Sequence, residues 1–258
     1  RIQNFKDQFS YSGEQFYSLL DNMCSKAAGL TVDEIYSYLP FSTALAWDTY
    51  AIDPDGQGGY VPRLENTNMV HQRTVITSGG MSEYNFNWSG NYMNKLYLGA
   101  NIGLRTAKYQ EDYYHHEKAV SNSSYSLDSF DYEYHLTSKG SGTNFKFGII
   151  YLPKESVRLG LSLHSNSYFE FTDNFNADMT SYHKDTTYRI IEEYKPVGNY
   201  KYRLRTPAKA VASFAYIFGT RGCINVDAEL VNYKGAHLKT TKDPGYTPYD
   251  YAVENKEA

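Results

Sequence analysis

The apolar and polar residues of this chain alternate with a period of two over several segments. The pattern is clearest in residues 95–105, where the apolar positions are Leu96, Leu98, Ala100, Ile102 and Leu104. Residues 156–164 and 224–230 repeat it. A period of two is that of a β-strand with two chemically different faces. We therefore predict a strand at each of these three segments.

Each predicted strand follows another alternating segment after a short connection. The preceding segments are residues 84–89, 144–151 and 210–218, and the short connections are 90–94, 153–155 and 219–222. Residues 1–9 are a candidate for a seventh strand. Long polar stretches occupy residues 106–126, 165–198 and the chain from 235 onward. Short and long connections therefore alternate, which places all the long ones at one end of the sheet.

Outer-membrane barrels show this alternation, with short turns on one side of the membrane and long loops on the other. The predicted fold class is accordingly all-β, an antiparallel transmembrane β-barrel of the outer-membrane type. A soluble β-sandwich, whose apolar faces meet in a core, is the alternative. Glycines at 79–80 and 140–142 and Pro207 interrupt the longer strands, and we expect bulges there.

Composition supports a membrane surface and excludes other partners. The chain has 27 tyrosines and 13 phenylalanines, and aromatic residues of this kind suit a water–lipid boundary. It has 25 basic and 29 acidic residues, which is not the basic footprint of a nucleic-acid-binding protein. No run of about 18 apolar residues occurs, so transmembrane helices are not expected.

A helical period appears near the start of the chain, within residues 14–28. A second short helix is expected at residues 32–38, where Thr31 and Glu34 have the spacing of a capping box. We predict that residues 10–69 form an extracellular insert with short helices, within a single barrel domain that spans residues 1–258. Since a half-barrel would leave strand edges unpaired in lipid, we expect the domain to continue beyond both ends of this sequence.

Three phrases carry a family resemblance: SGNYMNKLYLGANIGL at 89–104, NFKFGIIYLPKESVRLGLSLHS at 144–165 and RTPAKAVASFAYIFGTRGCINVDAELVNY at 205–233. Together they resemble the FadL-like long-chain fatty-acid transporters of the bacterial outer membrane, in the form found in Bacteroidetes. The resemblance covers about residues 70–255 and implies a barrel of about 14 strands in the complete protein. It also implies an N-terminal hatch, an extracellular groove that collects hydrophobic ligand, and a kinked strand that releases the ligand sideways.

By this resemblance the insert contributes to the ligand-collecting groove. The candidate groove residues are Phe16, Leu19, Leu20, Met23, Tyr36, Phe41 and Trp47. In the alternative, the apolar face of the insert packs on the barrel rim and binds nothing. Both roles are compatible with an amphipathic helix.

Polar residues on the inward parity of the strands form the second candidate set. The principal ones are Asn101, Arg105, Arg158, His164, Asn225, Asp227 and Glu229, with Glu133, His135, Lys146 and Lys209 assigned to the same face. One hypothesis is a salt-bridged filling of the lumen. The other is that Arg105 or Arg158 binds a ligand carboxylate, for which the guanidinium fork is suited.

No motif predicts a metal, a cofactor or an enzyme. His115 and His116 are adjacent on the chain and would point to opposite faces of a strand, so we expect them to be solvated loop residues rather than joint ligands. Residues 53–59 resemble a calcium loop but lack its terminal glutamate, which favours a plain turn. Cys24 and Cys223 are expected on opposite sides of the membrane, where no disulfide can join them.

The sequence therefore predicts a multi-pass protein of the bacterial outer membrane that takes up hydrophobic small molecules, fatty acids or aromatic hydrocarbons, without a cofactor. Its partners would be the ligand and the lipids and lipopolysaccharide around it. The alternative is a barrel of the same family whose long loops dock a protein partner in secretion or lipopolysaccharide modification.

Overall fold

The computed structural model describes residues 2–15, 17–64, 69–120, 126–241 and 250–257. Its elements, in chain order, are β1 (Ile2–Gln15), α1 (Leu19–Lys26), α2 (Val32–Tyr38), α3 (Thr43–Asp48), β2 (Ile52–Pro54), β3 (Tyr60–Pro62), β4 (Met69–Tyr92), β5 (Leu96–Ala119), β6 (Leu127–Lys154), β7 (Val157–His164), β8 (Tyr168–His183), β9 (Thr187–Arg189), β10 (Val197–Arg205), β11 (Ala208–Ile217), β12 (Cys223–Asn232), β13 (His237–Thr240) and α4 (Ala252–Glu257).

The main sheet is an antiparallel meander. Its central path runs β1-β4-β5-β6-β7-β11-β12. β8 continues the line of β7 along β6, and β10 pairs with both β8 and β13. In the described part of the chain the path ends at β1 and β12, so the sheet is open there. The all-β, antiparallel class is confirmed, and closure into a barrel stays a prediction.

The two ends of the sheet differ in their connections. At one end, which we call the turn end, β4 joins β5 through residues 93–95 and β6 joins β7 through 155–156. At the other, the insert end, residues 17–64 lie between β1 and β4, with three helices and the β2–β3 hairpin. The long insert therefore lies at the end opposite these two short turns.

Two of the predicted long loops are wrong, because strands occupy most of them. β5 runs on to Ala119, and residues 168–183 form β8. Both segments carry aromatic and polar residues in place of aliphatic ones, and in β5 these occur on both faces, which hid the strand period. β1 likewise extends to Gln15, so the insert begins at residue 17 and not at residue 10.

The predicted glycine bulges are also wrong. β5 and β6 keep one register from Leu96 to Lys118, past residues 140–142. A Cβ on Gly140 would lie 2.4 Å from the Phe171 ring, so this glycine serves close packing. Pro207 does interrupt a strand, since β10 ends at Arg205 and β11 begins at Ala208 with β7 as its new neighbour.

Because β6 has no bulge at its glycines, the parity of its outer half changes. Glu133 and His135 share a face with Phe145 and Phe147, and not with Lys146 as predicted. We call the face with Asn101, Arg105 and Lys146 the inner face, and the face with Leu98, Ile102 and Leu161 the outer face.

The insert packs on the inner face, near the insert end. Leu20 and Met23 of α1 and Leu45 of α3 share a buried core with Phe130 and Met179 of the sheet. Polar contacts fasten the same interface: the Tyr132 hydroxyl donates to the Phe41 carbonyl at 2.8 Å. The insert thus forms a lid over the part of the inner face near the insert end.

Capping explains where the first two helices begin. Ser18 and Asp21 form a capping box at the start of α1, so this helix begins at Leu19 and not near residue 14. Thr31 and Glu34 form the predicted box of α2, and the predicted bounds of this helix are confirmed. No helix among the described residues is long and apolar enough to cross a membrane.

The two cysteines are free, as predicted, and they differ in environment. Cys24 lies in the insert core, and burial raises the pKa of its thiol to about 12, with a smaller effect of Asp21. Cys223 is exposed.

Because the thiolate is the reactive form, maleimide at mildly alkaline pH should label Cys223 in the folded protein and Cys24 only after unfolding. Mass spectrometry of the labelled protein would show this, with Cys223→Ser as control. Rapid labelling of Cys24 in the folded Cys223→Ser protein would contradict the burial of α1.

Candidate functional site

The inner face has a covered part and an uncovered part. The insert covers the part of the inner face around Met69 and Phe130. The remaining part of the inner face, toward the turn end, has no element over it in the described structure. The predicted polar set lies on this uncovered inner face: Asn101, Arg105, Arg158, His164, Asn225, Asp227 and Glu229. The alternation of the strands puts them there.

A charged cluster marks the boundary between the two parts. The Glu83 carboxylate lies 2.8 Å from Nζ of Lys146 and 3.4 Å from Nη2 of Arg105. Arg105 also donates through Nη1 to the Ser167 hydroxyl at 2.9 Å. When its amide oxygen faces the guanidinium, buried Asn144 accepts from Arg105 at 2.8 and 3.2 Å. Two cations share one carboxylate here, so this cluster carries a surplus positive charge.

Sequence reasoning missed Glu83. It is paired with Arg105 in the register of β4 and β5. On β4 it shares the inner face with the polar residues Asn85 and Asn87. The polar alternation of residues 83–89 was visible, but its pairing to Arg105 depends on the register of two strands.

Some of the other predicted polar residues form hydrogen bonds or ion pairs with a neighbour, and others line a concavity of the inner face. Asn101 donates to Asn87 at 2.7 Å, and Lys209 lies 3.0 Å from Glu229. His164 shares a hydrogen bond of 3.0 Å with Ser162. Arg158 and Asp227, both exposed, line one concavity. The inner face is therefore partly neutralised and not uniformly charged.

Small residues make this part of the inner face concave. Gly99, Gly148 and Gly160 lie on neighbouring strands, and a Cβ on Gly99 or Gly148 would meet only one backbone oxygen, at 3.9 or 4.0 Å. The concavity has a volume of about 570 Å³, and an adjoining one of about 280 Å³ reaches Lys146. The two share Ser89, Gly99, Gly148 and Ser162. Volumes of this order suit a drug-sized or lipid-like ligand.

The predicted groove residues of the insert are mostly turned toward the sheet. Leu20 and Met23 are buried in the shared core, and Leu19, Phe41 and Trp47 pack against it. Tyr36 is exposed, with its hydroxyl bonded to Asp48. Phe16 lies outside the described residues. For Leu20 and Met23 the structure shows the packing role that the sequence left open as the alternative.

A second cluster lies where α1 meets the sheet, and here a prediction is wrong. His115 is not a solvated loop residue: it is buried on the inner face of β5, next to Glu117 and beside His71 of β4. Nε2 of His115 lies 2.6 Å from Oε1 of Glu117, and Nδ1 of His71 lies 3.4 Å from the same oxygen. His116 points to the outer face and bonds Asp131 at 2.6 Å, as its position next to His115 requires.

The buried cluster is anchored to the start of α1. Glu117 accepts a hydrogen bond from the Ser18 hydroxyl at 2.5 Å and from the Leu19 N–H at 2.7 Å. Burial lowers the pKa of His71, and Glu117 acts in the opposite direction. The sequence signal that could have found this cluster is the spacing of His115 and Glu117, two residues apart on one strand face.

Of residues 53–59, Asp53 and Pro54 end strand β2 and residues 55–59 form the turn of the β2–β3 hairpin, as the sequence predicted. Asp55 accepts backbone N–H groups of Gln57 and Gly59 at 2.7 and 2.8 Å, which is the local bonding of an Asx turn.

Comparison with known proteins leaves the site to be interpreted from its own geometry: no protein-family model, no curated protein and no solved structure matches this chain.

Proposed function

We propose that this chain forms part of an outer-membrane β-barrel through which hydrophobic small molecules pass passively. The observation that carries the proposal is the outer face. Leu98, Leu161 and Val226 are 41, 44 and 61% exposed, and no described element covers them. A soluble sandwich would bury such side chains against a second layer, and a monomeric soluble protein rarely exposes a continuous apolar surface of this size.

The height of the apolar band fits a bilayer. On β5 the outer residues are apolar from Leu96 to Leu104, a stretch of nine residues, and polar from Thr106 onward. A tilted transmembrane strand needs about 9–11 residues. On the same face of β4, Tyr84 is opposite Leu104 at the end of this stretch, as expected near lipid headgroups, and Trp88 is opposite Ala100 at its middle. Closure around a lumen requires strand partners for the edges β1 and β12, since open edges are too costly in lipid.

Basic side chains follow directly above the band on the outer face. Lys108 and Lys139 are opposite each other on β5 and β6, and Lys201 lies on the same row across β8. Arg203 and Lys239 are opposite each other on the next row. Glu170 compensates Arg203 at 2.6 Å. Like charges directly opposite, such as Lys108 and Lys139, destabilise a sheet, whereas anionic lipid headgroups would stabilise them. This placement supports an orientation in which the insert end faces the outer, lipopolysaccharide-bearing leaflet.

The inner face offers an amphipathic ligand two kinds of contact. The joined concavities along Gly99 and Gly148 accept an apolar chain, and Arg105 and Lys146 lie at the end where a carboxylate would bind. The insert covers the inner face beyond this cluster, so it would restrict the passage as a plug does. The fatty-acid uptake that the family resemblance implies is consistent with these contacts.

Docking of a protein partner is the second candidate, and exposed tyrosines on the insert favour it. Tyr17 and Tyr38 are 77 and 70% exposed at the insert end. Tyrosine is common at protein interfaces. A partner bound there would not depend on the concavity of the inner face.

Sidedness can be tested with two neighbouring residues. Leu161→Arg should cost about 2–4 kcal/mol of folding stability in lipid vesicles, because it places a charge in the lipid near the bilayer midplane. Ser162→Arg, on the inner face, should cost far less. Unfolding by urea, followed by heat-modifiable gel migration, measures both. An equal cost for the two variants would exclude lipid contact on the outer face.

The basic rows predict lipid binding. The double variant Lys108→Glu with Lys139→Glu should lose most of the lipopolysaccharide that copurifies with the protein, because it reverses the charge that attracts headgroup phosphates. Native mass spectrometry in mild detergent measures the bound lipid. Lys118→Glu, on the same strand and face but farther from the apolar band, is the matched control. An equal loss in the control would contradict the placement.

Arg105 provides the test of the ligand site. Arg105→Gln should weaken binding of a long-chain fatty acid by about 10–100-fold, the value of a charge-assisted hydrogen bond, and leave binding of a hydrocarbon of equal length unchanged. Lys209→Gln is the control on the same face. Equal affinity of Arg105→Gln and the unmodified protein for the fatty acid would remove the carboxylate site, and loss of both ligands would indicate a folding defect.

A further inference from the structure

We propose that His71, His115 and Glu117 form a binding site for a divalent metal ion of the zinc class. All three residues are buried, and one donor atom from each lies within 4.8 Å of the others. Two imidazoles and one carboxylate are a common ligand set for zinc. This proposal does not depend on the transport function.

Strand geometry brings the three donors together. His71 and Glu117 are directly paired in the register of β4 and β5, and His115 is two residues from Glu117 on the same inner face. Side chains so placed share one side of a rigid two-stranded ladder. The site therefore needs no rearrangement of the backbone to exist.

The distances fit a metal between the donors. Zinc binds histidine nitrogen and carboxylate oxygen at about 2.0–2.2 Å with tetrahedral angles, which places donor atoms about 3.3 Å apart. Nδ1 of His71 is 3.4 Å from Oε1 of Glu117. The 2.6 Å between His115 and Glu117 is a hydrogen bond that the metal would replace by opening the pair slightly.

The buried negative charge of Glu117 favours a bound cation. Its side chain is fully buried, and among the described residues only the two histidines lie within ion-pair distance. Arg73 lines the same cavity, but its guanidinium stacks over the Tyr113 ring at 5.5 Å. A buried carboxylate without a full cationic partner is unfavourable, and a bound dication supplies the missing charge.

The surroundings have the form of a metal site's outer shell. Ser18 and the Leu19 N–H hold the Glu117 carboxylate in place, as hydrogen bonds to a ligating carboxylate commonly do. The ring nitrogens that face away from Glu117, Nε2 of His71 and Nδ1 of His115, have no hydrogen-bond partner among the described residues, so the outer-shell contacts are confined to the carboxylate. A cavity of about 340 Å³ opens beside the three donors, with room for a fourth ligand such as water.

Metal binding at this position would join the insert to the sheet. Glu117 would hold the metal on one side and the first turn of α1 on the other. The ion would thus stabilise the lid over the inner face, and removal of the metal should loosen α1 before it affects the strands.

The test uses the purified protein after treatment with a chelator. Titration with Co²⁺ should give the visible absorption of a tetrahedral site with one equivalent bound, and calorimetry with Zn²⁺ should give the same stoichiometry. His71→Ala, His115→Ala and Glu117→Gln should each weaken Zn²⁺ binding by more than the about 10–100-fold that loss of an outer-shell partner costs, and Ser18→Ala by about that amount. Glu117→Gln keeps the shape of the side chain, so it remains informative if the alanine variants misfold.

Two half-buried histidines on the other face of the sheet provide the matched controls. His116 and His135 lie on the outer face and pair with Asp131 and Asp112. His116→Ala and His135→Ala should bind Zn²⁺ like the unmodified protein. Absence of Co²⁺ absorption in the unmodified protein would overturn the proposal. So would binding that survives Glu117→Gln and is lost in His135→Ala, which would place the metal on the outer face.

Discussion

The unbroken register of β4, β5 and β6 is the constraint on which the rest of this structure depends. β5 pairs with β4 and with β6 along nearly its whole length without a shift. Since side chains alternate strictly between faces, a single slip would move every later residue to the opposite face. Because the register is fixed, the outer face is apolar near the turn end and basic beyond it. The inner face is polar near the turn end and is covered by the insert near the insert end. Each proposed function occupies one of these zones.

Strands with aliphatic alternation could be predicted from the sequence, and strands with aromatic and polar alternation could not. β5 was recognised as far as Arg105 because leucines mark its outer face, but its continuation to Ala119 carries tyrosines, acids and histidines on both faces. These residues are equally frequent in loops, so only backbone pairing reveals the strand. The bulges predicted at the glycines of β6 were wrong for a different reason. Glycine serves a bulge or a close approach equally well, and the deciding neighbour, Phe171, lies on another strand.

The same limit applied to the sites. Where no bulge was assumed, the sequence assigned the polar residues of the inner face correctly to one face. This is because alternation along a strand depends only on the spacing of neighbouring residues. Partners are not local: Glu83 is set against Arg105, and His71 against Glu117, by pairing between strands. The amphipathic face of α1 was also visible, yet periodicity shows only that Leu20 and Met23 need cover. It does not say whether a ligand, a partner or the protein's own sheet provides it.

The position of the insert has a physical consequence for passage along the inner face. Its underside is apolar where Leu20 and Met23 meet the sheet, and its edge is held by polar contacts, with Glu117 bonded to Ser18 and Leu19. Hydrophobic burial of this kind is non-directional and tolerates sliding, whereas a buried carboxylate bonded to two donors does not. The Glu117 cluster, together with the Tyr132–Phe41 and Ser181–Thr49 hydrogen bonds, therefore fixes the lid in place, and the apolar contacts are the part that can yield. In the proposed transport, a ligand moving from the concavity toward the insert end would meet Arg105 first and this anchored edge beyond it. Weakening the Glu117 contacts should open the inner face at lower cost than any change in the core of the insert, because the cluster is small and the core is shared among many side chains.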